Sequence, residues 1–236
     1  MGIYLIMMGA QGAGKGVQAA VLAQQYGIPQ VSTGDLFRAM RHRTDPLAEE
    51  IKAILASGKL VSDDVTCRVV EDRLAQADAA NGAILDGFPR TVSQAEWFKD
   101  YLAARGESVT AVLSLEIDLY TAFKRAFGRV TDASGESYNV YFNADQIEDW
   151  AFEDHPEKAY PPRLVVTLKN GQSVVRRPDD ASAHAILVRI DTYIEQTTPL
   201  LDYYSRNGLL SSIEADQPIE AVTAQLQTAI TRRQMG

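Results

Sequence analysis

Residues 9–18 read Gly-Ala-Gln-Gly-Ala-Gly-Lys-Gly-Val-Gln, directly after an apolar run at 3–8 and directly before a helical pattern at 19–26. A strand, a glycine-rich loop and a helix in that order build a cradle for phosphate. Gly9, Gly12 and Gly14 allow positive φ and bring N–H groups onto phosphate oxygens, while Lys15 sets an ammonium beside the outer phosphates. The helix that starts there adds the positive end of its dipole. An ordinary strand-to-helix turn has no use for a lysine at this spacing. The pattern normally carries Ser or Thr after the lysine to hold magnesium, and here that position is Gly16. The ion must therefore be held by other groups, which points away from GTPases and motor-type ATPases.

Three further clusters could act on the same kind of ligand. In Ser32-Thr33-Gly34-Asp35-Leu36-Phe37-Arg38, Arg38 falls about one helical turn beyond Thr33, so a hydroxyl and a guanidinium can face one ligand. The alternative is a plain helix cap with Arg38 in solvent. The second cluster, Asp86-Gly87-Phe88-Pro89-Arg90-Thr91 with Gln94 a turn later, begins with an acid that ends an apolar run. A carboxylate there is costly unless it meets a cation or metal-bound water, which suits Asp86 to magnesium and Arg90 to a phosphate. Arg125, Arg129, Arg177 and Arg189 read either as phosphate clamps around an insertion or as solvated surface cations. His42, His155 and His184 read as surface residues, and Cys67 as a small core residue in a helix.

The elements that must position these groups follow from the apolar rhythm. Short β-rich runs at 3–8, 30–31, 83–85, 109–117 and 209–213 alternate with helix-competent stretches. That alternation predicts an α/β fold with a parallel sheet of about five strands and helices on both faces. Ligands of such sheets bind at the carboxyl ends of the strands, where the glycine loop and Asp86 both fall. The rhythm breaks between 128 and 180, a stretch rich in Gly and Pro that reads as a β-rich insertion of hairpins. One hairpin turn is expected at Asn170-Gly171, between 164–168 and 174–175. Residues 181–206 return to helical periodicity, with Pro199 as a kink or break.

Composition sets outer bounds. A chain of 236 residues, 46% hydrophobic, can bury one core with insertions. Its net charge of −8 opposes general affinity for nucleic acid or anionic membrane, because counterion release needs a basic surface. One cysteine excludes an intramolecular disulfide and a cysteine-rich zinc site. The first residues lack a basic region and a long apolar run, so a cytoplasmic protein is expected.

Taken together, the clusters resemble those of adenylate kinases and, more broadly, of nucleoside monophosphate kinases. The resemblance rests on 9–18, 32–38, Gly58-Lys59-Leu60-Val61, 86–91 with Gln94, Gly128-Arg129, and Arg177-Pro178-Asp179-Asp180 with Arg189. It covers most of the chain, read as a single domain over 1–236. It implies a P-loop kinase core, a helical monophosphate-binding segment at 32–61 and a small β-rich lid at 128–180. Gly12, Ala13, Gly14, Lys15, Gly16 and Val17 would hold the ATP phosphates, with Lys15 following the transferred phosphoryl. Thr33, Arg38, the backbone of Lys59, Leu60 and Val61, then Gly87, Phe88, Pro89, Arg90 and Gln94 would hold AMP. Arg129, Ser137 and Tyr138 would cover ATP, Arg125 would lie near its adenine, and Gln217 would offer the base a backbone contact. Arg177 and Arg189 would converge on the phosphates, AMP's included. Asp86, helped by Asp35, would anchor the water shell of Mg²⁺. Lys15, Asp86, Arg90, Arg129, Arg177 and Arg189 are the catalytic set implied.

The same resemblance implies AMP as acceptor, since relatives acting on UMP and CMP tend to have Ala at the place of Thr33 and Asn at that of Gln94. A carboxamide can both donate to and accept from an adenine edge. The expected partners are ATP and AMP, with no nucleic acid, no membrane, no zinc, and a monomeric chain. The alternatives are a kinase for another nucleoside monophosphate, or a nucleotide-binding sensor with weak turnover. Three departures favour the sensor: Val17 stands where a Thr is usual, Pro178 where an acid is frequent, and the insertion is longer than the usual long lid.

Overall fold

The first strand, β1 (Ile3–Gly9), is buried along most of its length and runs into the glycine loop. The computed structural model to which it belongs describes residues 2–56, 61–153, 163–172, 174, 180 and 182–235. The chain packs as two units, one of Met1–Met8, Gly14–Leu115 and Gln196–Gly236, the other of Gly9–Ala13 and Glu116–Glu195.

In the first unit, helix α1 (Lys15–Tyr26) follows the loop, and Gly27 at φ 64° closes it as a left-handed cap. Strand β2 (Gln30–Ser32) leads into α2 (Thr33–Met40), then α3 (Pro46–Ala56) and α4 (Asp63–Leu74). Strand β3 (Gly82–Asp86) is followed by α5 (Val92–Ala103) and β4 (Ala111–Glu116). Side-chain caps start α2, α4 and α5: Ser32 accepts from the Asp35 amide, Ser62 from Val65 and Thr91 from Gln94. The unit ends with β9 (Leu210–Glu214) and α8 (Ile219–Met235).

The five expected strands form one parallel sheet in the order β2-β3-β1-β4-β9. The chain leaves β1 to one side and returns on the other, which makes the carboxyl end of β1 a switch point. Register puts Ser32 and Met7 on either side of Asp86. Tyr4, Ile6 and Leu85, which share one face of the sheet, pack with Phe88, Phe98 and Tyr204 in the main core. Cys67 lies in it, and burial pushes its thiol up to about 12, so it is the inert core residue expected. A smaller cluster of Met40, Ala48, Ile51, Val65 and Val69 joins α2, α3 and α4.

In the second unit, α6 (Leu119–Phe127) is capped by Asp118 on the Thr121 amide. Strands β5 (Arg129–Thr131) and β6 (Ser137–Asn139) pair antiparallel, as do β7 (Ile147–Glu153) and β8 (Arg163–Leu168). The insertion is therefore made of hairpins, but not joined as expected. β8 pairs with β7 upstream, and Asn170-Gly171 is a turn after β8 that leads to no strand at the described residue 174. Alternate burial of Leu164, Val166 and Leu168 marks β8 clearly, whereas acidic β7 carries little pattern and was not legible as its partner. Helix α7 (Ala183–Arg206) runs on through Pro199, which removes one amide donor without breaking it. Phe127, Ile147, Leu164, Val166, Ile186 and Ile190 close a separate core in this unit.

Candidate active site

The glycine loop has the backbone that a phosphate cradle requires. Gly9, Gly12 and Gly14 all take positive φ, at 144°, 93° for Gly14 and 90° for Gly12. A Cβ on Gly12 would fall 2.1 Å from the Ala122 carbonyl oxygen, so no other residue fits there. Gly14 is the N-cap of α1 and Lys15 its first residue, half-buried, so the ammonium and the first-turn amides share one end of the helix. Ala13 is buried, while Gly16 and Val17 are exposed.

The first unit also gathers the residues expected for the monophosphate. Thr33, 2% exposed, donates its hydroxyl to the Gly87 carbonyl at 2.9 Å, and Arg90 Nε donates to the same oxygen at 2.9 Å. Gly87, at φ 77°, has no room for a side chain: a Cβ would meet Thr33 Oγ1 at 3.0 Å and Arg90 Nη2 at 3.3 Å. Phe88 and Pro89 are buried beneath this turn. Gln94, 4% exposed, accepts the Arg90 amide on Oε1 at 2.8 Å. Its Nε2 donates to Asp63 Oδ1 at 2.6 Å, and Thr91 Oγ1 donates to Asp63 Oδ2 at 2.6 Å. Thr33, Gly87, Arg90 and Gln94 are thus brought together, with Asp63 behind them, a residue that the sequence reading did not single out.

Arg38 and Asp35 form an exposed ion pair on α2, at 2.5 Å. Asp86 is half-buried at the end of β3 and accepts a long 3.5 Å bond from Gln30 Nε2. Val61 is half-buried. Gln217 uses its side chain internally, donating to Glu214 at 2.7 Å and accepting from Gln225 at 3.1 Å, while its backbone is the part expected to meet a base. Lys59, Leu60, Arg177 and His155 lie outside the described residues; His42 and His184 are exposed.

In the second unit the centre of the site is Asp180, 0% exposed. Its Oδ1 accepts from Gln11 Nε2 of the glycine loop at 2.5 Å, its Oδ2 accepts from Arg129 through both Nε and Nη2, and Arg189 Nη1 lies 3.7 Å away. A buried carboxylate is tolerable only with such partners, and in turn it holds two guanidiniums beside the loop. Asp180 was quoted within a motif but not counted among the site residues; nothing in a run of two adjacent acids says which one is buried. Arg125 lies in the last turn of α6, its guanidinium 5.6 Å from the Phe142 ring centre. Ser137 is exposed and 3.3 Å from Thr131 Oγ1. Tyr138 is buried with its hydroxyl on Asp132, and burial pushes it up to about 12.

Comparison with known proteins identifies the family. The family model described as adenylate kinase matches residues 7–209. The chain is 39% identical over 229 residues to an adenylate kinase of Moorella thermoacetica, covering 97% of this chain and 98% of the relative. It is 39% identical over 230 residues to that of Symbiobacterium thermophilum, with 97% and 98% covered. Against the adenylate kinase of Bacillus subtilis it is 36% identical over 225 residues, with 94% and 95% covered. With the family model and these relatives in agreement, the chain belongs to the adenylate kinase family.

Proposed function

We propose that the chain catalyses reversible transfer of the γ-phosphoryl group of ATP to the α-phosphate of AMP, giving two ADP. The observation that carries this reading is the convergence of Thr33, Gly87, Arg90 and Gln94 in one buried-edged group, in the same unit as Lys15 at the start of α1. An oxygen of the AMP phosphate attacks the γ-phosphorus in line as the bond to the β,γ-bridging oxygen breaks, leaving ADP. That nucleophile is already anionic at neutral pH, so no general base is needed. Catalysis reduces to holding the two nucleotides and stabilising charge on the moving phosphoryl, the work of Lys15, Arg90, Arg129, Arg177 and Arg189. Residues 32–61 would serve as the monophosphate segment and 128–180 as the lid that excludes water.

Magnesium fits this residue set as an ion carried on the nucleotide. Among the described residues no group of three or more acidic, His or Cys side chains could cage it. Positions 16 and 17 offer no hydroxyl, and Asp86 offers one carboxylate at the strand end. When bound, the ion supplies neutralising charge to the phosphates, with Asp86 and then Asp35 reaching it through water. No helix among the described residues is long and apolar enough to cross a membrane. A monomeric, cytoplasmic enzyme without nucleic-acid affinity completes the reading.

The test is incubation with MgATP and AMP, GMP, CMP or UMP in turn, with chromatographic separation of products. ADP should form fastest with AMP. Lys15→Ala and Arg90→Ala should each lower turnover by about 10²–10³ with the fold intact; near-normal turnover in both would refute the site, and nucleotide binding without transfer would favour a sensor.

A further inference from the structure

Gln94 is held at both ends, and the holding is directional. Thr91 caps α5 by accepting the Gln94 amide at 3.2 Å, and the Gln94 side chain folds back so that Oε1 accepts the Arg90 amide at 2.8 Å. Asp63, in the first turn of α4, closes the arrangement by accepting from Thr91 Oγ1 and from Gln94 Nε2, both at 2.6 Å. Chemistry alone sets the orientation of the amide. Turned over, its oxygen would face the Asp63 carboxylate and its NH₂ the Arg90 N–H, and both bonds would be lost.

We propose that Asp63 is a positioning residue that locks the Gln94 carboxamide in one orientation, and thereby makes the acceptor site prefer a 6-aminopurine to a 6-oxopurine monophosphate. The inference rests on the reading that Gln94 meets the base of the acceptor. With one N–H and one oxygen lone pair committed to Asp63 and Arg90, the amide retains one N–H and one lone pair for a ligand. A 6-aminopurine offers its amino donor beside the N1 acceptor and matches that pair. A 6-oxopurine offers the O6 acceptor beside the N1 donor, reversed at both positions. A freely turning carboxamide would serve either base. A pinned one leaves the wrong base facing two like groups, and such mismatches, not attraction to the right base, are what give large discrimination.

The experiment is steady-state transfer from MgATP to AMP and to IMP, which differ on this edge only in the 6-position and N1 pattern. The variants are Asp63→Asn, Asp64→Asn as a control in the same helical turn, and Gln94→Ala. An Asn at 63 can accept from Nε2 or donate to Oε1, so it removes the penalty for turning over at that end while keeping size and leaves only the Arg90 amide to oppose the turn. We expect Asp63→Asn to lower the AMP-to-IMP ratio of kcat/KM by about tenfold, through KM for the monophosphate, with KM for MgATP unchanged. Asp64→Asn should leave the ratio alone. A melting curve for each variant separates this from instability, which would lower both activities and spare the ratio. An unchanged ratio in Asp63→Asn together with a collapsed one in Gln94→Ala overturns the lock while keeping Gln94 as the base reader. An unchanged ratio in Gln94→Ala overturns that reading and the lock with it, as does equal use of AMP and IMP by the unaltered chain.

Discussion

At the scale of single residues, the glycine loop carries one omission that can be reversed. Val17 is 51% exposed on the first turn of α1, so it contributes little to packing. A threonine has nearly its shape and adds a hydroxyl where the ATP phosphates are proposed to lie. Val17→Thr should raise kcat/KM for MgATP about fivefold, the worth of one net hydrogen bond, and leave the melting midpoint nearly unchanged. No gain in kcat/KM would mean that the backbone amides alone hold the phosphates. The loop was legible because each of its residue types has one use at that spacing: glycine for positive φ, lysine for charge. The two acids that organise the site were not. Asp63 and Asp180 look like any of the chain's 31 acidic residues until the fold shows that one accepts from Gln94 and the other is sealed from solvent.

Between residue and molecule stand the elements, and here the second unit depends on two carboxylates. Asp180→Ala leaves Arg129 and Gln11 without their shared acceptor. Because Arg129 is partly exposed and can find water, the cost should sit at the lower end for a broken buried pair, about 3 kcal/mol by denaturant unfolding. KM for MgATP should rise with it, and a variant as stable as the parent would remove Asp180 from the site. Asp132 shapes the β5–β6 turn. Its carboxyl is held below the ordinary range first by the Ser134 hydroxyl and further by the Glu136 and Ser134 amides, against burial, which pushes it up. A folded value below the unfolded one means that the stabilisation is complete above the ordinary Asp value of about 3.9 and is lost as pH falls through the lower folded value. Amide exchange in 129–139 should therefore lose protection only in that acid range, and Asp132→Asn should abolish the pH dependence. The strands of the sheet were legible because each is a short apolar run. β7 was not, because the adjacent acids Glu148 and Asp149 interrupt its alternation at a register irregularity and its partner is fixed by the register with β8.

For the whole molecule, the division into two packed units decides what a ligand can stabilise. The break in rhythm at 128 marks a β-rich insertion, and the packed unit that holds it also takes in 116–127 and part of α7. The reason is packing: Phe127, Ile186 and Ile190 close the same core as Ile147 and Leu164, and helical periodicity cannot say which core a helix serves. A chain of net charge −8 repels nucleotides at long range, so each must be caught by local groups, and the groups proposed for AMP, Arg177 and Arg189 apart, belong to the first unit. AMP at about a hundred times its Kd should add about 2.7 kcal/mol to the stability of whatever binds it. For a chain of this size that raises a midpoint by roughly 5–11 °C. Hydrogen exchange then locates the effect, since amides are protected in proportion to the stability of the unit that must open. AMP alone should slow exchange in 31–38 and 86–94 and leave the β7–β8 hairpin at its free rate. Protection of the hairpin with none around Gln94 would move the acceptor out of the first unit, and with it the base-reading role on which the Asp63 lock depends.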